Sequence, residues 1–162
     1  MDRRIRVKKL ALLTVSHTFA VVGGFAAGVY VLPILTAPPA PSAAEVQTAA
    51  TSAQYKGEFR RNLKGSDLLH WGEGAVAISP QAVSLMGRIA PGPDYKLYLT
   101  PEFVETEEEF ERIRSRSVRL GDVKTFENFI VPVPPSVDIS RYSTVVVWCE
   151  SFSQFITAAK YR

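Results

Sequence analysis

Thr144-Val145-Val146-Val147-Trp148-Cys149-Glu150-Ser151-Phe152 is the most strand-prone run in the chain. Four β-branched residues stand in a row, followed by two aromatics, and such side chains fit a pleated, half-buried surface. Side chains alternate along a strand. Val145, Val147, Cys149 and Ser151 therefore share one face, and Val146, Trp148, Glu150 and Phe152 share the other. Cys149 is the single cysteine of the 162 residues.

Outward from this run the chain is mostly short strand-like segments. Tyr55–Arg60 reads as a first strand. Ala75–Ser79 and Ala82–Met86 read as a hairpin turned at Ser79-Pro80-Gln81. Pro91-Gly92-Pro93-Asp94 is a turn before the strand Tyr95–Thr100, which is apolar on both faces. Phe126–Val131 and Thr144–Phe155 supply the last strands, with Pro132, Pro134 and Pro135 between them. Many short strands separated by turns predict an all-β sandwich or barrel-like domain. One segment differs. Thr106-Glu107-Glu108-Glu109 has the form of a capping box, with Thr106 as N-cap and Glu109 at the third helical position. A short inserted helix is predicted from Glu107 to Ser115, with Phe110 and Ile113 on one face. Its carboxylates read as an exposed face with Glu108–Arg112 and Glu111–Arg114 pairs rather than as a cation or catalytic site.

The net charge of +3 is concentrated at one end. Residues 1–9 hold Arg3, Arg4, Arg6, Lys8 and Lys9 against Asp2 alone. Subtracting these from 19 basic and 16 acidic residues leaves 14 and 15 for the rest of the chain. A body without basic excess argues against a nucleic-acid partner. From Leu10 to Leu35 no acidic or basic side chain occurs except His17, a stretch long enough to cross a bilayer as a helix. Basic residues flank only its start, so the N-terminus is expected in the cytoplasm and the rest outside it. The apolar run exceeds that of a cleaved signal peptide, and Thr36–Pro41 is a poor cleavage site, so an uncleaved signal anchor is expected. Gly24 and Gly28, spaced four apart, would let two such helices approach as a dimer. Residues 36–54 are rich in Ala, Pro, Ser and Thr and read as an extended, flexible tether. The expected organisation is thus a basic tip at 1–9, a transmembrane helix at 10–35, a linker at 36–54 and a β domain at 55–162.

One cysteine excludes an internal disulfide framework and a Cys-rich metal site. A lone cysteine is often a small buried hydrophobe. Its functional alternatives are thiol redox chemistry, a mixed disulfide, or a sulfur ligand to a metal or haem. His70-Trp71-Gly72-Glu73-Gly74 brings an imidazole, an aromatic and a carboxylate together, either as a ligand site or as a turn entering a strand. A Cys149–His70 hydrolase would need the two side chains within hydrogen-bond reach.

Gly57-x-Phe59, the run from Gly74 to Ile78, Gly92-Pro93-Asp94-Tyr95 with Leu97-Tyr98-Leu99, Leu120-Gly121, and Val145-Val146-Val147-Trp148-Cys149-x-x-Phe152-x-x-Phe155 together resemble the DM13 domain family, the electron-transfer domain also found in Skeletor-type proteins. The resemblance spans roughly residues 55–162. It implies a β-rich extracytoplasmic module that takes part in redox or electron transfer through one cysteine, as a bare thiol or attached to a prosthetic group such as haem. That cysteine falls on Cys149. Ile156 stands where the family commonly has glycine, and the Thr106–Arg116 segment resembles an insertion.

The expected function is a membrane-tethered extracytoplasmic redox module, periplasmic if the cell is bacterial, that meets a redox partner protein. Cys149 would be its centre, Trp148 and His70 its supporting residues, and Gly92, Pro93 and Asp94 the turn that sets strand register. The competing class is a non-catalytic binding or envelope-structural domain in which Cys149 is a core residue.

Overall fold

The computed structural model describes residues 3–162. Eight strands form two four-stranded antiparallel sheets. One has the order β1-β2-β3-β6, with β1 Tyr55–Phe59, β2 Gly72–Ile78, β3 Ala82–Ile89 and β6 Glu127–Pro132. The other has the order β5-β4-β7-β8, with β4 Tyr95–Thr100, β5 Val118–Val123, β7 Thr144–Cys149 and β8 Gln154–Lys160. The β-sandwich expectation holds.

All six residues of β7 are buried. The strand lies between β4 and β8, so its hydrogen bonds are satisfied on both edges. Both of its faces are covered. Val145, Val147 and Cys149 point into the main core with Leu85, Phe129 and Ile156. Val146 and Trp148 point the other way, into a second cluster with Phe110 and Ile113. Those two come from the inserted helix α3 (Glu107–Ile113), which a 3-10 turn at Arg114–Arg116 extends. A strand covered on both faces needs apolar side chains on both, which explains the unbroken Val-Val-Val-Trp run.

Several details differ from the sequence reading. The run to Phe155 is two strands, reversed at residues 150–153, where Ser153 takes φ 49°. β5 has no counterpart in that reading: Arg119, Gly121 and Asp122 interrupt its strand-forming residues. The capping box at α3 forms by half. Thr106 Oγ1 accepts from Glu109 N at 3.2 Å, but the Glu109 carboxylate accepts from Glu105 N at 2.7 Å. Arg114 pairs with Glu111 as expected, whereas Arg112 approaches Glu102 rather than Glu108.

The linker is corrected most. Residues 36–54 are not extended throughout, because Ala43–Ala50 forms a helix, α2. Ser42 and Glu45 close a full capping box, with Ser42 N donating to Glu45 Oε2 at 2.8 Å and Glu45 N to Ser42 Oγ at 3.3 Å. Val46 is buried, and α2 packs on β3 and β6. Asn128 Nδ2 donates to Pro41 O at 3.1 Å and ties the approach to the sheet.

The N-terminal helix α1 runs from Arg3 to Thr36, longer than the apolar stretch alone, and includes Pro33 in its last turn. It is long and apolar enough to cross a membrane, and its apolar side chains stand exposed along most of its length. Among the described residues, nothing approaches within 4 Å of where a Cβ would stand at Gly24 or Gly28.

Candidate functional site

Register creates the site. β4 and β7 pair so that Tyr95 stands opposite Cys149. The residues just before Tyr95 must therefore meet those just after Cys149, although they are far apart in sequence. Cys149 Sγ donates to Pro93 O at 3.1 Å, Glu150 N donates to Asp94 O at 3.2 Å, and Ser151 Oγ donates to Asp94 Oδ2 at 3.0 Å.

The Gly92-Pro93-Asp94-Tyr95 turn has a physical reason at each of three positions. A Cβ on Gly92 would stand 2.2 Å from Tyr95 Oη, so only glycine lets the tyrosine ring fold back over the turn. Asp94 takes φ 54°, a left-handed conformation that Asp tolerates better than most residues. Its carboxylate also holds Lys96 Nζ at 2.7 Å. That Lys96 hydrogen bond, helped by Ser151, keeps the Asp94 carboxyl below the usual range despite partial burial. Tyr95 is buried, and its phenol is pushed well above the ordinary range, chiefly by burial and then by Cys149 and Tyr30.

Above this junction lies a cleft of about 470 Å³. Cys149, Tyr95 and Ile156 line it from the sheet, Phe152 from the β7–β8 reversal, Pro91, Gly92 and Pro93 from the turn before β4, and Leu69 and His70 from the loop before β2. Phe25, Ala26, Val29 and Tyr30 of α1 complete the wall. The lining is mostly apolar and contains no Lys, Arg, Asp or Glu.

Cys149 is 3% exposed. Burial pushes its thiol up; the backbone N–H groups of Phe152 and Ser151 pull the other way, and the carboxylates of Asp94 and Glu150 add to the rise. The thiol is therefore protonated at neutral pH, unlike a cysteine activated by a neighbouring cation. His70 stands in the same cleft, but its Nδ1 is 2.9 Å from Asp67 Oδ2. Asp67 also accepts from Leu69 N and His70 N, which fixes the loop. An ionised carboxylate only accepts, so His70 Nδ1 carries the proton it donates to Asp67. Among the described residues no hydrogen bond joins Cys149 to His70; the thiol proton goes to a carbonyl, which does not make the sulfur a nucleophile.

Trp148 is next to Cys149 in sequence and opposed to it in space. Its ring packs at a tilt against Phe110, 4.7 Å between centroids, and the Arg114 guanidinium lies 5.8 Å from it. Trp148 points away from the thiol and packs against α3 on the outer face of the sheet. Tyr95, Phe152 and the α1 residues border the thiol's cleft, and sequence reasoning misses all of them as site residues. The pairing of Tyr95 with Cys149 is a nonlocal fact with no local signal.

The cleft offers a sulfur and an imidazole nitrogen, two donor types that haem iron takes, between largely apolar walls. The residues present fit such a group, with Cys149 and His70 as those that would hold it. Among the described residues no group of three or more His, Cys, Asp or Glu is arranged to hold a bare metal ion.

A family model described as Electron transfer DM13 matches residues 62–161. No curated protein and no solved structure matches the chain.

Proposed function

This chain belongs to the electron transfer DM13 family, and from that premise we propose that it is a membrane-tethered redox module with Cys149 as its centre. One observation carries the reading: the only cysteine stands in the wall of an apolar cleft, held by the family's Gly92-Pro93-Asp94 turn. The form of the centre follows from electrostatics. A bare thiol with no cation beside it stays protonated and reacts slowly. A thiol that binds a metal centre loses its proton outright, and the N–H groups of Phe152 and Ser151 then favour the resulting sulfur anion. We therefore favour Cys149 as a ligand over Cys149 as a free thiolate. A haem bound there would supply reversible one-electron exchange at its iron. The protein's own part is to hold the sulfur, keep water from one side of the cleft, and present His70 Nε2.

The orientation belongs to the same proposal. Arg4, Arg6, Lys8 and Lys9 precede the apolar helix, and no comparable basic cluster follows it. That asymmetry supports a cytoplasmic N-terminus and a β domain on the opposite side, in the periplasm if the cell is bacterial.

The test is the spectrum of the full chain produced with haem available, native and Cys149→Ala. A Soret band present in the native protein and lost or shifted in the variant supports the reading. A colourless protein whose thiol reacts only after unfolding favours the second reading, a binding or envelope-structural domain. The membership of Cys149 in the main core is the observation on that side.

A further inference from the structure

We propose that the cysteine end of the β domain rests in the outer interface of the same bilayer that α1 crosses, with the tips of the loops at residues 66–71 and 150–153 dipping into it, so that the Cys149 cleft opens onto lipid. The proposal rests on the reading of α1 as a membrane span.

Depth along α1 sets the position of the contact. At 1.5 Å per residue, the helix from Leu10 to Tyr30 covers about 30 Å, roughly the hydrocarbon thickness of a bilayer. The basic residues before Leu10 fix one boundary, so Phe25 to Tyr30 fall in the last layers before the other, where a tyrosine is at home. Those residues form one wall of the Cys149 cleft. The opposite wall must then stand at the same depth, and its tips have the chemistry for it. Leu68 is 94% exposed, Leu69 55% and Phe152 49%. Among the described residues, none of these three large apolar side chains on two adjacent tips joins a core cluster.

A second cleft supports the same depth scale. It lies beside Leu32, Pro33 and Thr36, farther along the helix, and there the body presents Asp94, Lys96, Asp122 and Lys124. The surface is thus apolar beside residues 25–30 and charged beside 32–38, as the polarity of a bilayer edge changes with height. Asp67 and Glu150 are the charged groups within the two tips, and Glu150 is paired with Arg114 and the Tyr98 hydroxyl on the outer face of the sheet. The Asp67 carboxylate accepts from Leu69 N, His70 N and His70 Nδ1, and a charged group so held suits the headgroup level rather than the hydrocarbon. The occupant is therefore lipid.

The test uses the full chain in lipid nanodiscs. In a Cys149→Ser background, a single cysteine is placed at Phe19, Leu68, Phe152 or Ser136 and given a nitroxide label. Ser136 lies in the exposed loop after β6, at the opposite end of the sandwich. Collision with oxygen, which dissolves in lipid, is compared with collision with a water-soluble nickel chelate. The expected oxygen-to-nickel ratio is several-fold higher at Leu68 and Phe152 than at Ser136, and highest at Phe19. If Leu68 and Phe152 match Ser136 while Phe19 stays oxygen-dominated, the docking is overturned and the span stands. If Phe19 is also nickel-accessible, the span itself fails. A second measurement leaves Cys149 in place: the fluorescence added by Leu68→Trp should be strongly quenched by lipids brominated near the headgroup end of the acyl chains. Unquenched emission at the wavelength of an indole in water would overturn the docking.

Discussion

The thiol of Cys149 donates to the carbonyl oxygen of Pro93 across 3.1 Å, 56 positions back in the chain. The cysteine motif and the Gly-Pro-Asp-Tyr motif are therefore one structural unit. What happens to either should be felt at the other.

The first consequence concerns the reactivity of the Cys149 thiol. Burial holds its pKa above the ordinary value, and each 1.4 kcal/mol or so that disfavours the anion lowers the thiolate fraction about tenfold. Iodoacetamide should modify the native protein at least about tenfold more slowly than the unfolded chain at neutral pH. As pH rises, the unfolded chain loses its thiol proton first. The stability this group contributes is complete below the ordinary thiol pKa and is lost as pH climbs through the raised one. Cys149→Ala should remove that part of the slope in denaturant titrations above neutral pH. Trp148→Phe, on the opposite face, should leave the alkylation rate of Cys149 unchanged, and a clear acceleration would show that the two faces are coupled.

The turn supplies the second. Gly92→Ala forces a methyl against the Tyr95 ring and should cost about 1–3 kcal/mol, as overpacking does. Asp94→Ala removes the Lys96 and Ser151 contacts and puts a poor residue in a left-handed conformation. Asp94→Asn keeps the conformation at little cost, so its loss of stability should be the smaller of the two. The depressed Asp94 pKa gives a sign as well. Its contribution is present above the ordinary carboxylate range and is lost as pH falls through the depressed value, so Asp94→Asn should flatten the acid side of the stability profile. Equal losses for Asn and Ala would count against a role for the left-handed backbone.

How far the sequence discloses this arrangement depends on whether a signal is local. β7 is legible because strand propensity is local, and alternation correctly assigns Val145, Val147 and Cys149 to one side and Val146 and Trp148 to the other. The same alternation argues against giving Trp148 a part in the thiol's surroundings; adjacency in sequence misleads there. β5 is hidden because Gly121 and Asp122 weaken its propensity while pairing with β4 supplies what propensity lacks. The cleft has no local signal, since its walls come from α1, two turns and a loop that only the fold brings together. α2 is a different case. Ser42-x-x-Glu45 is the same pattern as Thr106-x-x-Glu109 and forms the fuller box, but the alanines and prolines around it read as a linker.

The last prediction tests that segment directly. Val46 is 2% exposed and is the only buried residue of α2. An eight-residue helix is unstable alone, so its docking rests on this one side chain, the capping box and the Asn128–Pro41 hydrogen bond. Val46→Ala removes the equivalent of about two methylene groups, or about 1.5 kcal/mol at ~0.8 kcal/mol each. Val46→Asp buries a charge with no partner and should release the helix altogether. Limited proteolysis of the full chain would then cut within residues 37–50 much faster in Val46→Asp than in the native protein, with Val46→Ala between them. The β sandwich, whose core does not include Val46, should stay resistant in all three. An extended tether would instead be cut equally fast in every variant, because nothing in it would depend on Val46.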